Sequence, residues 1–320
     1  MKTGAFIVPT GIGASIGGFA GDASYWARQF AKKCRLIVNP NVVNAACFSG
    51  ITDNMLYVEG YSLDEFFRGN VNLSPSLHNK IGIIFDKSIP KDVLNVHINT
   101  INAVKTVYGI DILGYEITKE EVGVEFFVDN SGISTGNVNN INTLYEAANT
   151  LIHKGAEAIG IVCLFPEDNG EDNYSKGVGV DPVGGVEAII SHYISKEFLI
   201  PSAHAPAFSD ITIPTEIVDP RASAEYITPT FLPCILLGLN QAPKIIPSGK
   251  NNDNSINIDD LDFLVMPYTS MGGVPVFEAA KRGKHIYAVK ENKTVLNVTP
   301  MDINVKCDIM ETYRELWELI

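Results

Sequence analysis

The stretch Ala158-Ile-Gly-Ile-Val-Cys163, followed at once by Leu164-Phe-Pro-Glu167-Asp168, decides the fold class. Its first six residues have the apolar composition of a buried strand. The polar residues that follow predict a loop at the carboxyl end of that strand. Because similar apolar runs alternate with helical patterns along the chain, we predict an α/β fold with a mainly parallel or mixed sheet in Rossmann-like layers.

The same alternation predicts two lobes around a cleft, formed by residues 1–130 and 131–320, or else one integrated unit. The runs Ile110–Ile117 and Val122–Val128 are close in the chain, and we expect them to form an antiparallel pair. Ala222–Leu239 is predicted as a helix interrupted by proline. The Asn-rich stretch Ser248–Asn257 is interpreted as a surface excursion or a joint between domains.

Composition excludes several classes of protein. The 320 residues include 24 basic and 37 acidic side chains, so a nucleic-acid partner is disfavoured. The first apolar run is too short for a signal peptide, and no apolar segment reaches the roughly 18 residues of a membrane span. We therefore expect a cytoplasmic protein without a membrane partner, and a homo-oligomer is left open. The 5 cysteines are widely separated, which argues against a disulfide framework or a structural zinc site.

Reactive residue types concentrate between residues 158 and 206, mostly in predicted loops, where catalytic groups are common. The candidate catalytic residues are Cys163, Glu167, Asp168, Asp181 and His204. Cys163 would act as a thiolate with His204 or His192 as its base, although a buried structural thiol and a structural imidazole are the alternatives. The carboxylates suit Mg²⁺, but no short ligand spacing supports a metal site, so no metal ligand is assigned.

Glycine- and serine-rich turns follow three predicted strands or open helices, where backbone amides bind anions. They supply the candidate binding residues Gly11, Gly13, Ser15, Ser131, Ser134, Thr135, Gly184 and Gly185. Tight structural turns are the alternative. The first turn lacks the Gly-x-Gly-x-x-Gly spacing, which disfavours NAD. Arg221 is a candidate for neutralising a substrate carboxylate.

Ser270-Met-Gly272-Gly273-Val-Pro-Val-Phe-Glu278 resembles the donor-binding segment of two-lobed glycosyltransferases that use nucleotide sugars. The resemblance implies that Gly272 and Gly273 meet a diphosphate and that Glu278 holds a ribose, with Ser270 and Asn292 nearby. A second resemblance concerns the pair Cys47 and Cys163, which is similar in separation to the facing cysteines of aspartate/glutamate racemases. Neither cysteine has the flanking pattern of those enzymes.

Longer motifs extend over nearly the whole chain. They include Asn39-Pro-Asn-Val-Val-Asn44, Tyr57-Val-Glu-Gly60, Gly177-Val-Gly-Val-Asp-Pro-Val-Gly-Gly-Val-Glu-Ala188, Ala203-His-Ala-Pro-Ala-Phe-Ser-Asp210 and Thr230-Phe-Leu-Pro-Cys234. With them the chain resembles an uncharacterised conserved family of photosynthetic bacteria and plastids, known only as a domain of unknown function. The resemblance implies one intact enzyme-like unit and no particular activity.

Together these patterns predict a metabolic enzyme for a small anionic substrate, either phosphorylated, a nucleotide or a carboxylate. Its chemistry is expected in the segment from Cys163 to His204, and its cofactor is unknown, with Mg²⁺ open. The alternatives are a nucleotide-sugar-dependent transferase or epimerase, a cysteine-dependent racemase or isomerase, and a ligand-binding protein without catalysis.

Overall fold

The computed structural model describes residues 1–166, 173–213, 215–250 and 254–320. The strands are β1 (Thr3–Phe6), β2 (Arg35–Val38), β3 (Asn44–Ala45), β4 (Phe48–Ser49), β5 (Met55–Tyr57), β6 (Val71–Ser74), β7 (Ile81–Phe85), β8 (Ile112–Ile117), β9 (Val124–Val128), β10 (Ser134–Val138), β11 (Ala158–Leu164), β12 (Ser202–Ala207), β13 (Lys244–Pro247), β14 (Phe263–Pro267), β15 (His285–Val289) and β16 (Asp308–Met310). The helices are α1 (Ser24–Ala31), α2 (Pro40–Val43), α3 (Gly60–Arg68), α4 (Lys91–Tyr108), α5 (Ile141–His153), α6 (Gly184–Phe198), α7 (Leu232–Asn240), α8 (Val274–Lys281) and α9 (Tyr313–Leu319).

Two parallel sheets organise the described part of the chain, which confirms the predicted α/β class. The large sheet has six strands in the order β16-β15-β14-β1-β2-β5, and the small sheet has four in the order β12-β11-β7-β8. In the large sheet the direction of winding reverses between β1 and β14, and in the small sheet between β7 and β11. Such reversals leave a crevice at the carboxyl ends of the strands, where ligands bind.

The small sheet is built from a segment that lies between two parts of the large sheet. The chain leaves the large sheet after β5, forms β7 to β12, and returns at β14. On the way out it forms β6 and on the way back β13, and these two strands pair antiparallel. The predicted division at residue 130 falls between β9 and β10, inside this segment. Residues 251–253 of Ser248–Asn257 lie outside the described residues.

The predicted antiparallel pairing of Ile110–Ile117 with Val122–Val128 is wrong. β8 pairs parallel with β7 at the edge of the small sheet, and β9 pairs antiparallel with β10. The turn between β9 and β10 is closed by Asp129, which accepts hydrogen bonds from the amides of Ser131 and Ile133. The predicted helix over Ala222–Leu239 is also shorter than expected, because only Leu232–Asn240 is α-helical, after a single 3-10 turn at Glu225–Ile227.

Buried apolar strands explain why these sheets form. All residues of β1, β7 and β14 are buried, as expected for strands that have helices on both faces. Gly4 in β1 is required by packing, since a Cβ there would lie 2.2 Å from the ring of Phe263 on β14. No helix among the described residues is long and apolar enough to cross a bilayer.

Candidate functional site

A cleft of about 1160 Å³ lies between the two sheets, at their carboxyl ends. Its wall includes residues that directly follow strands of both sheets: Pro9 after β1, Asn39 after β2, Glu59 after β5, Pro166 after β11 and Phe208 after β12. Small-molecule sites typically have volumes of roughly 300–1,000 Å³. The cleft therefore has the size and the position expected of a ligand site in a doubly wound α/β protein.

The cleft wall is acidic. Among the described residues that line it, no lysine or arginine is present, whereas the carboxylates are Glu59, Asp64, Asp181, Glu187, Asp210 and Glu225. Charges of one sign in a cleft with apolar walls focus the electrostatic field and attract ligands of the opposite sign.

Glu187 and His204 form a pair on the small-sheet side of the cleft. Glu187 lies on the buried face of α6 and is only 6 % exposed, and its Oε2 is 3.9 Å from Nε2 of His204 on β12. This distance is too long for a hydrogen bond. The other oxygen, Oε1, is buried and has no hydrogen-bond partner in the described part of the chain. Oε1 of Glu187 therefore lacks a hydrogen bond that a bound molecule would supply.

Burial moves the pKa values of this pair in opposite directions. It raises the pKa of Glu187 well above its usual range, and the negative charges of Asp181 and Glu225 raise it further. Burial lowers the pKa of His204 to about 3, with a smaller contribution from His192. Burial therefore favours the protonated carboxyl group of Glu187, and it leaves the imidazole of His204 neutral at neutral pH.

A hydrogen bond from α6 orients the imidazole. Nδ1 of His204 is 2.9 Å from Oγ of Ser191, and the hydroxyl of Ser191 donates to the carbonyl oxygen of Ala188 at 3.2 Å. The tautomer that fits this pattern carries its proton on Nδ1, which then donates to Ser191. Nε2 is left as an acceptor on the side of Glu187.

The carboxyl group of Glu225 connects the two sides of the cleft. Oε1 of Glu225 accepts hydrogen bonds from the amide of Ala20 at 2.8 Å and from the hydroxyl of Tyr174 at 2.9 Å. Ala20 follows β1 of the large sheet, whereas Tyr174 and Glu225 belong to the segment that carries the small sheet. Burial and the nearby Asp181 raise the pKa of Glu225 to about 8. The ring of Tyr174 stacks on Phe19 at 4.7 Å and adds an apolar contact to this connection.

The chain is similar to known proteins over nearly its whole length. The model of the family described as "Protein of unknown function (DUF3326)" matches residues 3–320. The chain belongs to the DUF3326 family. An uncharacterized lipoprotein of Synechococcus sp. is 38% identical over 317 residues, which cover 98% of this chain and 88% of that protein. No solved structure matches. The resemblance to an uncharacterised family of photosynthetic bacteria is thereby confirmed.

Several residues predicted from the sequence of this DUF3326 protein do line the cleft. They are Ser134, Asp181, Gly184, Gly185, His204, Gly272 and Gly273. Asp181 caps α6 by accepting hydrogen bonds from the amides of Val183 and Gly184 at 3.0 and 3.2 Å. Only glycine fits at Gly185, since a Cβ there would lie 1.9 Å from the carbonyl oxygen of Ser134. The amide of Gly185 also donates a hydrogen bond to the hydroxyl of Ser134.

The first glycine-rich turn uses its amides internally. The amides of Gly17 and Phe19 donate to the carboxylate of Asp22, at 2.6 and 3.2 Å, so a protein carboxylate occupies the place predicted for an anion. Gly11 and Gly13 have positive φ angles in this turn. Ser15 donates to the carbonyl oxygen of Glu291 at 3.1 Å, away from the cleft wall. The geometry therefore matches the alternative that the sequence left open, a tight structural turn.

Five further candidates make structural contacts outside the cleft wall. Asn292 is fully buried and bonds both backbone groups of Ile16 and the hydroxyl of Tyr313. The hydroxyl of Ser131 donates to Asp129, and Thr135 pairs with Phe127 in the strand ladder. Buried Ser270 points its hydroxyl at the carbonyl oxygen of Pro267, and Glu278 faces Lys281 and Arg282 on α8.

Arg221 is engaged by its own neighbours. Its guanidinium pairs with Asp219 at 3.0 Å, donates to the carbonyl oxygen of Gly177 at 2.9 Å and lies 4.5 Å from the ring centre of Phe19. These contacts hold the segment after β12 against the first glycine-rich turn. They leave the predicted role in substrate binding without geometric support.

Cys163 lies in the core rather than in the cleft wall. It is 2 % exposed and belongs to the apolar cluster of the small sheet. Burial raises the pKa of its thiol well above the usual range, and the charges of Asp86 and Glu187 act in the same direction. A thiol is nucleophilic as the thiolate, which these surroundings disfavour.

Two of the predicted catalytic carboxylates, Glu167 and Asp168, lie outside the described residues. Within the part of the chain that the structure describes, no three His, Cys, Asp or Glu side chains converge as a metal site would require. Sequence reasoning missed Glu187. Its signal is a charged residue on the face of α6 that otherwise buries Val186, Ile190 and Ile194.

Proposed function

We propose that this protein is an enzyme that binds a small polar molecule in the cleft and transfers protons to and from it with Glu187 and His204. The observation that carries the proposal is the buried Oε1 of Glu187, which has no partner among the described residues and lies beside an imidazole in the cleft wall. Buried polar groups without partners are rare in folded proteins and are often functional.

The pKa values of the pair suit acid–base catalysis. Two titratable groups whose surroundings push their pKa values apart commonly divide the roles of acid and base. Glu187, whose pKa is raised, holds the proton that it gives to the bound molecule. His204, whose pKa is lowered to about 3, accepts a proton at Nε2. Groups of this kind typically contribute rate factors of roughly 10²–10⁴.

This proposal keeps the enzyme predicted from the sequence and moves its chemistry. His204 remains a catalytic candidate, and Glu187 takes the role that was predicted for Cys163. A ligand-binding protein without catalysis uses the same cleft and is the competing function. Cytoplasmic location stays a prediction, and the name of the Synechococcus relative, a lipoprotein, offers membrane association as the alternative. Cell fractionation distinguishes the two.

The test is a screen for binding followed by turnover. Pools of polar metabolites are first examined by thermal shift, since a ligand that binds the native state alone raises Tm with concentration. Molecules that bind are then incubated with the protein in D₂O and followed by NMR for exchanged protons or new products. We expect conversion by the wild type and at least about a 100-fold loss in Glu187→Gln.

Glu197→Gln is the matched control, because Glu197 lies on the same helix but is exposed and outside the cleft wall. It should convert the molecule at the wild-type rate. If molecules bind in the cleft and the wild type converts none of them, the binding protein is the correct function. If Glu187→Gln converts them as fast as the wild type, the assigned pair is wrong.

A further inference from the structure

The charge of the cleft wall points to the chemical class of its ligand. As described above, six carboxylates and no lysine or arginine line the described part of the wall. Asp181, Glu187 and Glu225 are close enough together that the charge of Asp181 raises the pKa of each of the other two. A bound anion would add to this repulsion, whereas a bound cation would relieve it.

A second and independent observation is the unpartnered oxygen of Glu187. Its Oε1 is buried, and the residue as a whole is only 6 % exposed. In its ionised form the carboxyl group of Glu187 accepts hydrogen bonds and donates none, so a group that satisfies this form must bring an N–H or O–H. An ammonium brings three such donors together with the opposite charge.

Aromatic rings in the wall suit the same class of ligand. Phe208 and Phe231 line the cleft and meet edge to face, with ring centres 6.2 Å apart. Cations bind favourably over the faces of such rings, and the effect strengthens where water is excluded. Nearby, the face of Phe19 already holds the guanidinium of Arg221 at 4.5 Å.

An organic cation fits the cleft better than a metal ion. Asp181 and Glu225 each use one oxygen for backbone amides, and no three metal-binding side chains converge in the described part of the chain. A volume of about 1160 Å³ also far exceeds that of one hydrated ion and accommodates a molecule of many atoms.

We infer that the cleft binds a small amine, held as its ammonium with an N–H donating to Oε1 of Glu187. The inference rests on the proposed function in taking this cleft as the ligand site, and it replaces the anionic substrate predicted from the sequence. The amine gives one proton to solvent as it enters the cleft, and the carboxyl group of Glu187 then gives its own proton to the bound amine, which leaves the ammonium paired with the carboxylate. Binding is therefore coupled to the release of a proton.

The experiment compares molecules that share a carbon skeleton and differ in charge. One set is 1,4-diaminobutane, 1,4-butanediol and succinate, and a second is butylamine and its neutral analogue 1-butanol. Mg²⁺ alone forms a separate arm, and ionic strength is held constant because it screens charge. We expect an amine to raise Tm with concentration, while its neutral or anionic counterpart and Mg²⁺ do not.

The amine that stabilises most is then studied by isothermal titration calorimetry in buffers with different ionisation enthalpies. We expect release of up to one proton per bound molecule by the wild type, a measurement that needs no variant. Glu187→Gln should bind the amine at least tenfold more weakly and release no proton, while Glu197→Gln should match the wild type. The Tm of each variant without ligand reports whether it folds.

Three results overturn the inference: stabilisation by succinate equal to that by the diamine, stabilisation by Mg²⁺ alone, or no response to any amine. Unchanged amine affinity in Glu187→Gln also overturns it. Failure of the proposed function gives a different result, because an amine that binds and releases a proton but is never converted supports the ligand class and refutes the enzyme.

Discussion

Two Glu–His pairs line the same cleft, and they differ in what each carboxylate already binds. Glu59 lies 3.7 Å from His192, and Glu187 lies 3.9 Å from His204. Glu59 is the more buried carboxylate, at 3 % exposure against 6 %, yet its two oxygens accept hydrogen bonds from the amides of Ser62 and Tyr61. Oε1 of Glu187 has no such partner in the described chain.

The comparison shows that burial of a charged group is not by itself a sign of function. Glu59 caps the first turn of α3, where four backbone amides lack partners within the helix and a carboxylate is favoured by the helix dipole. Its hydrogen bonds explain its burial completely. Glu187 sits inside α6, where it caps nothing, and the missing partner of its Oε1 is what the proposed function accounts for. The two imidazoles also differ in burial: the side chain of His192 is 42% exposed, and that of His204 is 15% exposed.

The largest expected effect separates the two imidazoles. His204→Asn should lower kcat/KM by at least about 100-fold, because the proton acceptor in the cleft is lost. His192→Asn should change it by only a fewfold. Since the pKa of His204 is lowered to about 3, protonation of this group should not reduce wild-type activity between pH 5 and 7. The measurement is the pH dependence of kcat/KM with the substrate that the screen identifies. Equal losses in both variants would remove the distinction between the pairs.

A smaller effect concerns stability between pH 6.5 and 8. The pKa of Glu225 is about 8 in the folded protein against an ordinary value of 4.5, and that of Glu187 is also raised. The folded state therefore binds more protons than the unfolded state, and the free energy of unfolding falls as pH rises through this window. Each group contributes at most about 1.4 kcal/mol per pH unit. The buried His97 and His204 act in the opposite sense, because their ordinary pKa of 6.5 returns on unfolding, but this contribution fades as pH rises above 6.5, so the upper part of the window shows the carboxyl groups most clearly.

Urea denaturation at a series of pH values measures this slope. Glu225→Gln and Glu187→Gln should each make it shallower, and the double variant should make it shallower still. A slope that is unchanged in both single variants would show that neither carboxyl group holds its proton in the folded state, and the acid role of Glu187 would fail with it.

The cap formed by Glu59 should have a modest effect that is confined to stability. Glu59→Ala removes the acceptor of two amides and should lower the free energy of unfolding by about 1 kcal/mol, as for other lost helix caps. Glu59→Gln keeps one acceptor oxygen and should lower it less. Chemical denaturation measures both, and kcat/KM should stay within a fewfold of the wild type. A large loss of activity in Glu59→Gln with little change in stability would place the second pair in the reaction.

The sequence predicts the frame of this molecule better than its pairings. Apolar runs such as Ile81–Phe85 reveal buried strands, because a strand covered on both faces is apolar throughout. Which strands pair with each other is decided by contacts between residues that are far apart in the chain. β8 pairs parallel with β7, and helix α4 makes the crossover between the two strands. Because β9 is closer to β8 in the chain, the sequence favours the wrong partner.

The candidate site was predictable in part for the same reason. Asp181 and Gly184 lie at the start of α6 and His204 lies in β12, so the topology carries them to the cleft. The internal bonds of the first glycine-rich turn and the missing partner of Glu187 depend on which atoms meet in space. Neither the spacing of residues nor the composition of the sequence predicts those contacts.

The smallest expected effect is at Cys163, which tests whether the buried pair works without a thiol. Cys163→Ser should leave kcat/KM within about twofold of the wild type, because the side chain is in the core and outside the cleft wall. Alkylation by iodoacetamide between pH 7 and 9, followed by mass spectrometry, should label Cys163 more slowly than the half-buried Cys47, since its pKa is raised well above the usual range. Rapid labelling of wild-type Cys163 with a midpoint below pH 8 would establish a reactive thiolate there, and the chemistry would then belong to the cysteine and not to the Glu187–His204 pair alone.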